Sequence, residues 1–116
     1  MRFLLMIFDD PAAWASVPPS EMERVMETHA RLRADLEQAG QWIGCERLRP
    51  GPEAITVREE GGRHVVADGP YAETKEIMGG YYLIDCPSRA EAVTWAKRLP
   101  LRGRSTVEIR PIWEMA

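Results

Sequence analysis

Two histidines occur in the 116-residue sequence, and His29 is the one set among apolar residues at helical spacing. Met22, Val25, Met26, His29, Leu32, Leu36 and Ala39 recur three or four positions apart, so they share one helical face, with His29 as its polar member. An imidazole titrates near neutral pH and can serve there as a general acid or base. A carboxylate on one ring nitrogen would fix the tautomer and raise the basicity of the other. Such a pair suits proton abstraction beside a leaving group, chemistry that needs no cofactor. The alternative is a core histidine bonded to a backbone carbonyl, and the residues leave both readings open. His64 falls in a hairpin pattern and reads as exposed. Two histidines without a paired spacing make no metal site. Cys45 and Cys86 form neither a CxxC motif nor a disulfide framework and read as small core residues. Arg47, Arg49, Arg58, Arg63 and Arg110 read mainly as outward partners of strand alternation, although one of them could clamp an anionic substrate.

The elements that would position His29 follow from apolar periodicity. Phe3-Leu4-Leu5-Met6-Ile7-Phe8 predicts a first strand, and Pro11, Pro18 and Pro19 predict a loop after it. Ser20-Glu21-Met22-Glu23 has the form of a capping box, so the helix carrying His29 is expected from there to about Ala39, with Gly40 as its stop. Trp42 to Leu48 reads as a second strand. Ile55 to Arg58 and His64 to Val66 flank Glu59-Glu60-Gly61-Gly62-Arg63, a hairpin pattern. Gly80 to Asp85 reads as a buried strand, Ser88 to Glu91 as a second capping box, and Ala92, Trp95, Ala96 and Leu99 as one helical face ended by Pro100. Thr106 to Arg110 alternates as a last strand. With the hairpin set aside the order is βαββαβ, the ferredoxin-like split βαβ pattern. It is an α+β fold with two helices on one face of an antiparallel sheet.

Composition narrows the function classes. Hydrophobic residues make up 45% of the chain, enough for one core in a single domain over residues 1–116. Fifteen basic against 18 acidic residues give a formal charge of −3, with no basic run, which argues against direct nucleic-acid binding. The longest apolar run, Phe3 to Phe8, is too short to span a bilayer, and no signal-peptide cleavage region follows it, so a cytoplasmic protein is the expectation. The first and fifth strands are apolar on both faces, while two helices cover only one. Phe3, Leu5 and Ile7 point one way and Leu4, Met6 and Phe8 the other, and Tyr81 and Leu83 oppose Tyr82 and Ile84, so whichever set the helices leave bare needs cover. A homodimer packed sheet to sheet supplies it, and the alternative is that the hairpin or the proline loop folds back as a lid.

The run DGPYAETKE (Asp68 to Glu76), followed by GGYYLID (Gly79 to Asp85), closely resembles the signature of the DGPF-type branch of YCII-related proteins. The opening LLMIFDD-PAAW, the RL-x-P ending at Pro50, the segment AVTWAKRLP and the end VEIRPIWEM fit the same pattern over nearly the whole chain. Tyr71 stands where Phe is more usual. The resemblance implies a dimeric α+β barrel and a His–Asp pair in a cleft, some members acting as small-molecule enzymes such as dehydrohalogenases. It also implies, as the alternative, a non-catalytic ligand-binding or regulatory module that accompanies an extracytoplasmic-function sigma factor. Asp10 matches the family's acidic position and is the expected partner of His29, with Asp9 as a substitute. The two meet only if the proline loop carries the helix start beyond the sheet end, because His29 lies roughly 13 Å along the helix from Ser20 at ~1.5 Å per residue. Asp68 and Tyr71 are expected on the opposite wall, Asp68 as a second acid or polar anchor and Tyr71 as a substrate contact. Asp68-Gly69-Pro70 also has a purely structural reading as a shaped turn. Ala72 to Glu76 has the composition of one short helical turn, and Gly79-Gly80 suggests a bulge or close backbone approach.

Overall fold

A computed structural model describes residues 1–115. Strand β1 (Arg2–Asp9) leads into a short helix α1 (Pro11–Ala15) and the long helix α2 (Pro19–Gln38). Strand β2 (Trp42–Arg47), a 3₁₀ turn over Gly51–Glu53, and the hairpin strands β3 (Ile55–Glu60) and β4 (Arg63–Asp68) follow. Strand β5 (Ile77–Asp85), helix α3 (Arg89–Ala96) and strand β6 (Ser105–Pro111) complete the chain. The main sheet is antiparallel in the order β2-β5-β1-β6, and β3 and β4 form a separate two-stranded ribbon. This is the split βαβ topology with an inserted hairpin. The hairpin turns at Gly61 and Gly62, both at positive φ, the pair of conformations a two-residue type I′ turn requires.

The proline-rich connection opens with a short helix, and only residues 16–18 remain a loop. Pro11 occupies the first position of α1, where its fixed φ fits and its missing N–H is no loss. Asp10 caps it, accepting from the backbone N–H of Ala12 and Ala13 at 3.1 and 3.4 Å. The expected Ser20 capping box does not form. Helix α2 starts one residue earlier, at Pro19, and the carbonyl of Pro18 accepts from Glu21 and Met22 instead. At the second, Ser88 does cap its helix: its hydroxyl accepts from the Glu91 N–H at 3.2 Å, although α3 ends at Ala96, short of Pro100. Ala72 to Glu76 makes bends, not a helical turn.

The core lies between helices and sheet. Phe3 and Leu5 of β1, Tyr82 and Ile84 of β5, Leu32 and Leu36 of α2 and Ala92 and Ala96 of α3 are buried together. The pleat sets the rest: Ile7 and Asp9 continue the helix-facing row of Phe3 and Leu5, while Leu4, Met6, Phe8 and then Asp10 fall on the other side. Among the described residues no helix lies over that other side, and Leu4, Met6, Phe8, Tyr81 and Leu83 are only half-buried. Gly79 and Gly80 form the expected irregularity, where the register between β1 and β5 shifts between Ile7 and Phe8.

Candidate active site

The N-terminal half of α2 overhangs the end of the sheet where β1 leaves and β5 and β6 begin. Met22, Val25, Met26 and His29 form a roof over a cavity of about 760 Å³, with Trp14 of α1 closing one side. The floor is flat because two residues lack side chains. A Cβ on Gly79 would lie 1.9 Å from Asp9 Oδ2, and one on Gly80 would lie 2.8 Å from the Glu46 carbonyl oxygen. Across that floor, Asp9 on β1 and Cys45 and Arg47 on β2 line the same cavity.

His29 is half-buried, and its Nδ1 lies 2.7 Å from the Tyr82 hydroxyl, with the two rings stacked at 5.9 Å between centroids. Trp42 meets the Tyr82 ring edge-on at 6.1 Å, and the Arg33 guanidinium lies 4.5 Å over Trp42, so the phenol is held on its far side. His29 Nε2 bonds to no described residue. Burial lowers the His29 pKa below its ordinary 6.5; the Asp9 charge opposes that effect and the Arg47 charge adds to it. The imidazole is therefore neutral at neutral pH. Burial pushes the Tyr82 phenol well above its ordinary range, so it keeps its proton. A neutral phenol serves the ring in either sense: it donates to Nδ1 when Nε2 carries the proton, and accepts from Nδ1–H when Nε2 is a free base. Burial likewise raises the Cys45 thiol, leaving it protonated and a poor nucleophile.

Asp9 is the carboxylate of this cavity. Its Oδ1 accepts from the Ser105 hydroxyl at 2.5 Å, and Ser105 Oγ accepts from the Trp14 indole N–H at 2.9 Å. This chain fixes the carboxylate over Gly79. It acts on His29 through space, since no hydrogen bond joins the two among the described residues. Asp10, the partner expected from the sequence, is not in this cavity. Strand alternation turns it to the opposite sheet face, where it caps α1, lies 3.7 Å from Lys75 Nζ and lines a second, shallow cleft with Phe8 and Thr106. Asp68 and Tyr71 are also displaced from the expected wall. Asp68 ends the hairpin opposite Ile55, Tyr71 is 84% exposed on the turn beyond it, and neither lines the cavity. His64 is exposed on the hairpin, as its pattern suggests.

A model of the YCII-related domain matches residues 1–116. The chain belongs to the YCII-related family. It is 36% identical over 114 residues to an uncharacterised protein of Rhizobium meliloti (strain 1021), covering 97% of this chain and 92% of that one. Among solved structures it is similar to the 5-chloro-2-hydroxyhydroquinone dehydrochlorinase of Burkholderia phenoliruptrix AC1100, solved in complex with 2,5-dihydroxybenzoquinone. The TM-score is 0.48 at 15% identity, over 100% of this chain and 96% of that one. In this YCII-related chain, His29 stands out in the sequence and lines the cavity, whereas Tyr82, Ser105 and Trp14 beside it do not stand out. Their signal is cross-strand register: Tyr82 faces the helices only because it pairs with Leu5 and Cys45, which periodicity within one strand does not reveal. No helix among the described residues is long and apolar enough to cross a membrane.

Proposed function

We propose that this YCII-related protein binds a small molecule in the His29 cavity and catalyses cofactor-free proton transfer there, of the elimination or isomerisation type. The observation that carries this reading is a neutral imidazole tied through one ring nitrogen to Tyr82, with the other left to the cavity. In an elimination, His29 Nε2 takes a proton from the substrate carbon. The C–H electron pair becomes the new π bond, and the leaving group departs with the pair of its own bond. The imidazolium so formed is held by Nδ1–H donating to the Tyr82 oxygen and by the fixed Asp9 carboxylate. Asp9, not Asp10, takes the acidic role. Asp68 and Tyr71 keep a place only at the rim that a second copy would complete.

That second copy is part of the proposal. Leu4, Met6, Phe8, Tyr81 and Leu83 leave one sheet face without a helix, and Ile55, Val57 and Val66 leave the hairpin ribbon with an apolar face 60–68% exposed. Burying four or five such side chains contributes on the order of 6–15 kcal/mol before association costs, at ~1.5–3 kcal/mol each. A homodimer packed sheet to sheet, closing an α+β barrel, accounts for the first surface.

The function is tested with a panel of small carbon acids bearing a β-halogen, reading halide release and incorporation of solvent deuterium. His29→Ala is expected to lower turnover by ~100-fold or more, the scale of general acid–base catalysis. Turnover that survives His29→Ala unchanged overturns the proposal. Saturable binding without His29-dependent turnover returns the chain to the non-catalytic, ligand-binding class.

A further inference from the structure

We propose that Arg47 makes the His29 cavity a receptor for small organic anions, with a carboxylate or an enolate-like oxyanion seated on its guanidinium. The inference rests on the cavity being a ligand site, and adds what kind of ligand it takes. Strand β2 ends at Arg47, which pairs with Gly80, and alternation puts it on the same face as Cys45, whose partner is Tyr82. Arg47 therefore borders the bare glycine floor from the side opposite Asp9.

The other charged side chains around the cavity are either paired or turned away from it. Arg49 forms an ion pair with Glu53 at 3.0 Å, and Glu46 falls on the opposite face of β2 beside Tyr81. Asp9 accepts from Ser105. Among the described residues Arg47 forms no ion pair and is exposed at the cavity's edge, so its forked donors remain available to a planar oxyanion. Asp9 and Arg47 stand on β1 and β2, two interstrand spacings apart with β5 between them, roughly 10 Å across the sheet. A ligand that fills that gap has its anionic group at Arg47 and its apolar body against Met22, Met26 and Ile77. Its acidic C–H then comes under His29. A guanidinium at the oxygen end would also hold negative charge that develops as the proton leaves, which suits carbon acids activated by a carbonyl.

Benzoate and benzamide, matched in shape and differing in charge, test this with the full chain, using the ¹H–¹⁵N signal of the Trp14 indole N–H as the reporter inside the cavity. Benzoate is expected to shift that signal saturably and to bind at least tenfold more tightly than benzamide. Arg47→Gln is expected to weaken benzoate by about 10- to 100-fold, the scale of a lost charge-assisted hydrogen bond, and to leave benzamide unchanged. Arg47→Lys should recover part of the preference, and Arg63→Gln on the hairpin should have no effect. Equal binding of the two probes, or benzoate binding indifferent to Arg47→Gln, overturns the anion assignment and leaves the cavity as a ligand site. Failure of both probes to move the Trp14 signal at any concentration overturns both.

Discussion

At the scale of single residues, the site depends on a hydrogen bond that a helical wheel cannot show. His29 is legible in the sequence because it interrupts an apolar stripe. Its partner is not, because choosing between Asp9 and Asp10 requires knowing which way the pleat points at the end of β1. The side chains of Phe3, Leu5 and Ile7 settle it: their row continues to Asp9 and delivers Asp10 to the far face. Tyr82→Phe keeps the ring packing and removes the hydroxyl, so a fall of about tenfold or more in kcat with little change in thermal midpoint is expected if the phenol steadies the imidazole through protonation. Unchanged kcat would remove Tyr82 from the chemistry. The lowered His29 pKa also has a stability signature. The unfolded chain binds this proton more tightly than the folded one, so the contribution of His29 is fully present above pH 6.5. It declines as pH falls below that value and levels off below the folded pKa. Denaturant midpoints of wild type and His29→Gln should therefore diverge between pH 7 and 5, with the wild type losing more.

At the scale of elements, the order of strands and helices was readable from periodicity and turn residues, and the caps were readable only in part. Ser88 behaves as its motif suggests, whereas Pro19 takes the first position of α2 and leaves Ser20 inside the helix. The signal for α1 was present in Asp10-Pro11 followed by two alanines, a cap and a first-turn proline, but three prolines in nine residues masked it. The glycine pair shows how an element serves the site. Gly79→Ala places a methyl group on the Asp9 carboxylate, a mobile group that can swing away, so the fold should persist while Asp9 leaves Ser105. The His29 pKa should then drop further, as in Asp9→Asn, because the first variant displaces and the second removes the charge that raises it. An unmoved His29 titration in both variants would show that Asp9 has no hold on the ring. Leu36→Ala, at a position 1% exposed between α2 and the sheet, should cost about 2–5 kcal/mol in denaturant unfolding without altering that titration.

At the scale of the whole molecule, the shape itself points outward. The Cα radius of gyration is 16.3 Å, against about 13 Å for a compact domain of this length, and the extents are 48 × 46 × 18 Å. The excess comes from a ribbon that stands off the main sheet with Val57 paired to Val66 on an apolar face. The two-faced strands announced an uncovered surface in the sequence. The ribbon's isolation did not, since a hairpin pattern carries no information about what lies against it. The DGPY run belongs to this scale: Gly69 N–H donates to the Ala54 carbonyl and Thr56 Oγ1 to the Gly69 carbonyl, fixing the corner where the ribbon returns to the sheet. Light scattering at micromolar concentration should give twice the single-chain mass, and Leu83→Glu on the open face should reduce it to one chain with the helical signal retained. A folded single-chain mass for the wild type would contradict the paired arrangement.

Nothing in the chemistry works without a neutral imidazole that has one nitrogen on Tyr82 and the other open to the cavity. A ¹⁵N NMR titration of the histidine rings observes this directly. The expected result is a His29 midpoint below 6.5, one ring nitrogen shifted by hydrogen bonding, and that shift alone lost in Tyr82→Phe. A midpoint at or above 6.5, with both nitrogens indifferent to Tyr82→Phe, would contradict it.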